Sequence, residues 1–482
     1  MLIRYFERKM GRINVIFGAN FLLWSLQTIS GQLLIAHNFS QWESNFENNS
    51  NDDLGDPLVL TKWIKSGNIA EARKLARVNE SEFLDVVSYS GFLTVNNDYD
   101  SNLFFWFFPA EGTEQLYDDD IEKAVGGDRP VLLWLQGGPG VSSMFALFTE
   151  NGPFFVNDNV TIRKNPYSWH KKYNIIFIDN PVGTGFSYTN PDGLCTNVTQ
   201  TADHLYIALK QFFRLFPWLQ SNDFYITGES YAGKYIPATA NAIWEGNKVD
   251  DLIINLQGLA LGNAFTDPMN MIDCADFAYQ TGLIDIHGRN QMKIHELNAK
   301  EAFPNIDTLE HVNKIYGAFS ESSQFKSLYN ILKPEPIDIA SYRQFIEQSQ
   351  IRRALHVGGT RFYPTSGDVY EKLKADIVNT AMHWTEKLLN EGLRIMYYSG
   401  NLDFIVAYPL SKKAYQHMKW NGAEKYLSAR RKPLKVNSKL AGYIKATDNF
   451  VDVVVLNAGH MVPTDQPEVA LDLIDRFIRN DL

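Results

Sequence analysis

The hexapeptide Gly228-Glu229-Ser230-Tyr231-Ala232-Gly233 joins an apolar run at 224–227 to a helical pattern at 231–244. A sharp strand-to-helix turn lifts a serine hydroxyl into the open and aims the next backbone N–H at the space beside it. Gly228 and Ala232 are the small residues such a turn needs, although Ala232 stands where the strict G-x-S-x-G pattern has glycine. A serine nucleophile requires an imidazole base and an acid to orient it. On an open α/β sheet these follow in the order Ser, Asp/Glu, His, at the ends of later strands. Asp403 comes just after the run 394–398 and His460 just after the run 451–456, both on glycine-containing turns. Gly137-Gly138-Pro139-Gly140 closes the run 131–135. Adjacent glycines let a backbone N–H approach a ligand closely, as a second oxyanion donor must. His356 has no strand-end carboxylate partner and reads as structural. His383 and Glu386 have the H-x-x-E spacing of a metal-binding helix, but spacing alone is weak, and they read as part of a surface helix. Neither a metal nor a cofactor is expected.

Residues at strand ends need strands to carry them. The runs 131–135, 174–179, 224–227, 256–261, 394–398 and 451–456 are apolar without alternation, which suits strands buried on both faces. Helical patterns lie between several of them, at 202–216, 231–244 and 467–478. In the last, Val469, Leu473, Ile474, Phe477 and Ile478 share one face. Residues 86–95 and 103–108 read as antiparallel neighbours ahead of this rhythm. The expected fold is α/β, with a mostly parallel central sheet and helices on both faces. The stretch 267–380 lacks a convincing buried strand and reads as a mainly helical cap inserted over the sheet's carboxyl edge. The charge runs 430–432 and 118–120 read as solvated loops.

Composition narrows the partners. The chain has 482 residues, with 45 basic and 55 acidic side chains giving a net charge of −10, and no long Lys/Arg cluster. Binding to a nucleic-acid backbone is therefore not expected. Its 2 cysteines cannot build a disulfide scaffold or a four-cysteine zinc site, and whether Cys195 and Cys274 pair is open. Arg4, Arg8, Lys9 and Arg12 precede an apolar stretch at 13–29, interrupted by Asn14, Asn20, Ser25 and Gln27. Residues 1–30 read as a cleaved signal peptide rather than a membrane span, so no stable membrane insertion is expected. Residues 31–57 read as a loose mature N-terminus, and 58–482 as a single catalytic domain. Sequons at Asn38, Asn48, Asn79, Asn159 and Asn197 fit a glycoprotein of the secretory pathway, secreted or lysosomal.

Several colinear motifs resemble one family. They are Trp134-Leu-Gln-Gly-Gly-Pro-Gly140, Asp179-Asn-Pro-Val-Gly-Thr-Gly-Phe-Ser-Tyr188, Gly228-Glu-Ser-Tyr-Ala-Gly233, Leu261-Gly-Asn263, Gly400-Asn-Leu-Asp403 and Asn457-Ala-Gly-His-Met-Val-Pro463. Together they are similar to the serine carboxypeptidases. Gln136, where most members have Asn, with the stretches 89–95 and 102–109, looks most like the vitellogenic-carboxypeptidase-like branch. The resemblance implies an α/β-hydrolase fold and the removal of single residues from peptide or protein C-termini through an acyl-enzyme. It assigns Ser230, Asp403 and His460 as the triad and the N–H groups of Gly138 and Tyr231 as the oxyanion hole. It places Gln136, Gly137 and Glu229 on the substrate carboxylate, Glu150 as the acid partner of Glu229, and Phe145 and Met461 in the leaving-residue pocket. Glu229 can donate to a carboxylate only when protonated, and two close carboxyls resist double ionisation, so activity should favour acidic pH. Val141 and Val406 stand where the family often has disulfide-forming cysteines. An esterase or acyltransferase on the same fold, a catalytically silent secreted binding protein and a homodimer remain open.

Overall fold

The computed structural model describes residues 54–113, 129–335 and 338–482. The signal-like N-terminus, Asn38, Asn48 and the run 118–120 lie outside them. Ten strands form one sheet: β1 (Tyr89–Asn96), β2 (Ser101–Phe108), β3 (Val131–Leu135), β6 (Asn174–Ile178), β7 (Phe224–Glu229), β8 (Leu256–Gly262), β9 (Arg394–Gly400), β10 (Lys432–Val436), β11 (Lys439–Ala446) and β12 (Phe450–Val455). A separate hairpin pairs β4 (Phe154–Val156) with β5 (Ile162–Lys164). The sheet order is β1-β2-β6-β3-β7-β8-β9-β12-β11-β10. The six central strands are mutually parallel and the outer pairs antiparallel.

The lack of alternation in the central runs follows from burial on both faces. In β3, Val131, Leu133 and Leu135 join one apolar layer while Leu132 and Trp134 join the other, and all are buried. Each such side chain contributes about 1.5–3 kcal/mol on leaving water. Aromatic residues fill much of the space. Phe83 meets Trp106 edge-on at 4.9 Å on one face, and Phe107 meets Phe212 at 5.1 Å on the other. Helix Val198–Leu215 starts where the Asn197 side chain accepts the Gln200 N–H at 2.9 Å. Helix Pro467–Arg479 buries the expected Val469, Leu473, Ile474 and Phe477, with Ile478 half-buried. Between β8 and β9 the described residues form helices and no strand, the longest being Ile286–Ala302 and Asp307–Ser323, which pack together.

The structure adds a hairpin, β10–β11, that the sequence does not announce. Arg430 and Arg431 are exposed as expected, but Lys432 opens an edge strand rather than sitting in a loop. Its exposed Lys432, Pro433 and Lys435 are residues that discourage a foreign strand from pairing there. Cys195 and Cys274, the only cysteines of the chain, are both free and buried.

At the end of β6, Asp179 ties two loops together. Its Oδ1 accepts the Ser142 hydroxyl at 2.5 Å and the Ser143 N–H at 3.0 Å, and its Oδ2 accepts the Phe186 N–H at 2.9 Å. Ser143 Oγ donates to the Ile178 carbonyl at 2.6 Å and accepts the Gln136 N–H at 3.2 Å. The glycine-rich turn after β3 is thereby hung from the end of β6. Burial pushes the Asp179 carboxyl up to about 6 against the pull of these donors. Gly185 is obligatory beside it: its φ is +58° and an added Cβ would collide with the Asp179 carboxylate. Gly185→Ala is expected to cost about 3 kcal/mol, combining left-handed strain with overpacking. Chemical denaturation checks this, and an unchanged midpoint would show that Asp179 can move aside freely.

Candidate active site

Ser230 is the turn between β7 and helix Ala232–Gly246. Its φ of +62° lies in the left-handed region, which a non-glycine residue keeps only where neighbours enforce it. Ser230 N–H donates to the Gly262 carbonyl at 3.0 Å, and the Gly233 and Phe265 N–H groups both reach the Ser230 carbonyl at 2.9 Å. Side chains are excluded around it. A Cβ on Gly228 would collide with the Leu135 carbonyl, and one on Gly137 would meet the Tyr231 nitrogen at 2.5 Å and Ser230 Cβ at 2.7 Å. The glycine-rich turn therefore lies against the serine turn. The N–H groups of Gly138 and Tyr231 donate to no group among the described residues, and both residues line the cavity that Ser230 lines. Unspent donors beside a hydroxyl can stabilise an oxyanion.

Asp403 and His460 arrive from the ends of β9 and β12. His460 Nδ1 stands 2.7 Å from Asp403 Oδ2, while the buried Nε2 makes no hydrogen bond among the described residues. Asp403 is fully buried. Its Oδ2 also accepts Asn263 Nδ2 at 2.6 Å, and its Oδ1 accepts the Val406 N–H at 3.1 Å. Burial opposes an imidazolium, but the Asp403 carboxylate, with Glu229 behind it, outweighs that and raises His460 above its ordinary value. The Tyr329 ring lies 5.2 Å from the imidazole.

A second polar group forms the floor. Trp134 Nε1 donates to Gln136 Oε1 at 2.9 Å, which turns Gln136 Nε2 toward Glu229 Oε1 at 2.7 Å. Glu150, at the end of helix Met144–Thr149, is buried beside Glu229 and feels its charge. Burial raises both carboxyls, and the charge of Glu229 adds to the rise at Glu150. Apart from Gln136, the two carboxyls have only each other as hydrogen-bond partners among the described residues. A pair of this kind holds one proton between its members well above the usual carboxylate range.

The cavity is about 170 Å³, and Gln136, Gly137, Gly138, Phe145, Glu229, Ser230, Tyr231, His460 and Met461 all line it. Its remaining wall is mostly apolar and includes Leu309, Val312 and Tyr316 from helix Asp307–Ser323. Val141 and Val406 line it too, and Val406 serves Asp403 through a backbone N–H that any residue but proline supplies. Other sequence candidates lie elsewhere. His356 meets Ser90 Oγ at 3.2 Å, away from this cavity. The ring of exposed His383 lies tilted against Trp384 at 4.2 Å, while Glu386 accepts the Lys419 N–H at 2.6 Å. Asn79 and Asn159 are exposed, and Asn197 is half-buried at its helix cap.

Sequence reasoning gave no role to Asn263, although its place after the β8 run is the signal that could have found it. Asn263 Oδ1 also accepts the Gly400 N–H at 3.2 Å, joining the ends of β8 and β9. Tyr329 comes from the helical stretch, where no pattern marks it.

A hydroxyl on an enforced turn, an oriented imidazole and two unspent amides equip the site for acyl transfer. The serine carboxypeptidase sequence model matches residues 79–480. A venom serine carboxypeptidase of Apis mellifera is 45% identical over 443 residues, covering 89% of this chain and 92% of that protein. The vitellogenic carboxypeptidase of Aedes aegypti is 39% identical, covering 88% and 90%. The crystal structure of a prohormone-processing carboxypeptidase from Saccharomyces cerevisiae matches with a TM-score of 0.75 at 25% identity, covering 85% of this chain and 96% of that one. Motifs, fold and relatives agree, and the chain belongs to the serine carboxypeptidase family.

Proposed function

We propose that this serine carboxypeptidase works through Ser230, His460 and Asp403, and that a shared proton on Glu150 and Glu229 lets it bind the free C-terminus of a peptide. The observation that carries this reading is the convergence of the 2.7 Å His460–Asp403 pair and the 2.7 Å Gln136–Glu229 bond on one cavity with Ser230. Ser230 Oγ attacks the last peptide carbonyl while His460 Nε2 takes its proton. The N–H groups of Gly138 and Tyr231 hold the oxyanion. His460 then protonates the departing amine, the terminal residue leaves, and water hydrolyses the acyl-enzyme by the same relay. Gln136 Nε2, the Gly137 N–H and protonated Glu229 receive the terminal carboxylate. Phe145 and Met461 wall the leaving residue and favour apolar side chains.

Ser230→Ala is expected to lower kcat at least about 10⁴-fold and to abolish labelling by a fluorophosphonate. Retained peptidase activity would remove Ser230 from the mechanism, and failure of the wild type to label would favour a silent binding protein. Assaying ester and acyl-transfer substrates beside the peptide separates this reading from an esterase or acyltransferase. The sequons at exposed Asn79 and Asn159, the half-buried Asn197, and the signal-like first thirty residues support passage through the secretory pathway. Among the described residues no helix is long and apolar enough to cross a membrane.

The sign of the pH dependence follows from the carboxyl pair. Both carboxyls are raised, so their proton is held below the raised values and lost as pH climbs through them. Once it is lost, Glu229 repels the substrate carboxylate. The same proton also removes one of the charges that raise His460, leaving the imidazole freer to act as a base. The activity of the wild type should therefore fall on the alkaline side through a rising KM. Glu229→Gln, a permanent donor, should flatten that limb by holding KM steady. Initial rates from pH 4 to 8 on a blocked dipeptide test this; a wild-type KM independent of pH contradicts it.

A further inference from the structure

Residues 327–333, in the stretch between β8 and β9, cross the loops that carry Asp403 and His460. The Leu328 carbonyl accepts the N–H groups of both Phe404 and Ile405 at 3.1 Å, and the Ile331 N–H donates to the Leu402 carbonyl at 2.9 Å. These bonds bracket Asp403 on either side. One residue further on, the Tyr329 carbonyl accepts the His460 N–H at 2.7 Å, and the Tyr329 ring lies against the imidazole. A single segment of bends and a turn thus grips the acid loop and the base loop, although neither is near it in sequence.

The segment is itself anchored at one side chain. Asp465, in the short helix after the His460 loop and 8% exposed at its side chain, accepts Asn330 Nδ2 at 2.8 Å on Oδ2 and Lys333 Nζ at 2.5 Å on Oδ1. The same Oδ2 accepts the N–H of Gly459, the residue before His460, at 2.7 Å. Gly459 can only be glycine, since an added Cβ would collide with the Tyr329 carbonyl. One carboxylate therefore joins the strap to the backbone of the base loop.

We infer that Asp465 is a positioning residue, which locks the 327–333 strap onto the His460 loop and so fixes the imidazole between Ser230 and Asp403. Asp465 touches no reacting atom. It acts through two relays, Gly459 N–H directly and Asn330 through the Tyr329 carbonyl. The inference rests on the triad proposed above.

The test measures kcat, KM and the rate of fluorophosphonate labelling in the full-length enzyme. Asp465→Ala should lower kcat and labelling rate together, by about 100-fold for an ångström-scale displacement of the base, with KM within about twofold of wild type. Asp465→Asn keeps an oxygen for Gly459 and Asn330 and gives up the Lys333 pair and a minor part of the charge that raises Glu150. It should recover to within about threefold of wild type, because an exposed lysine pair contributes little. Should Asp465→Ala fail to fold, the double variant Asn330→Ala/Lys333→Met leaves the Asp465–Gly459 bond in place and loosens only the strap. Its kcat should fall about tenfold at unchanged KM. Folded variants with wild-type kcat, or an Asn variant as impaired as the Ala variant, would overturn the inference. Failure of the triad reading is distinguishable, because it would show as retained activity in Ser230→Ala.

Discussion

A carboxylate with no access to water must be surrounded by donors, and Asp403 is such a group. Its partners come from three directions: Asn263 at the end of β8, Val406 from its own loop, and His460 from beyond β12. Satisfying one buried charge thus forces the carboxyl ends of three parallel strands into alignment. The orientation of the imidazole is a by-product of that solvation problem. With Nδ1 committed to Asp403, Nε2 is left without a partner among the described residues, in a residue that lines the cavity with Ser230. Asp179 solves the same problem at the end of β6, with donors from the turn after β3 and from Phe186. Two buried aspartates, at the carboxyl ends of β6 and β9 with three strands between them, therefore hold the glycine-rich turn beside Ser230 and the His460 imidazole in place.

Ionic groups are distributed by role. Asp403 is amply supplied with partners, from Asn263, Val406 and His460. Glu150 and Glu229 are starved of them, with only Gln136 reaching across, and burial drives the pair to keep a proton. A donor-rich and a donor-poor carboxyl site thus stand near one imidazole, and their surroundings treat the same functional group differently. Gln136 suits the second site because Trp134 fixes which end of its amide faces Glu229.

The parts legible in the sequence were those under the tightest local constraint. The central strands showed because burial on both faces leaves no polar position in a run such as 131–135. Ser230, Asp403 and His460 stood out because they sit where such runs meet glycines. The hairpin of β10 and β11 was hidden by its own exposure, since the charge run 430–432 that leads into it reads as a solvated loop. The roles of Asn263, Asp179, Tyr329 and Asp465 were less visible still. Each is defined by a partner distant in the chain, and no period or spacing reports a contact between residue 329 and residue 460.

The two free thiols have a consequence for how this enzyme is made. Both are buried, and burial lifts the Cys195 thiol to about 11, so little of it is the reactive thiolate at physiological pH. Where relatives often use cysteines, Val141 and Val406 simply line the cavity. Nothing in the fold waits on oxidation, so the chain can reach its native state without an oxidoreductase. Its stability is indifferent to glutathione, and a reducing bacterial cytosol is as suitable a place to produce it as an oxidising lumen.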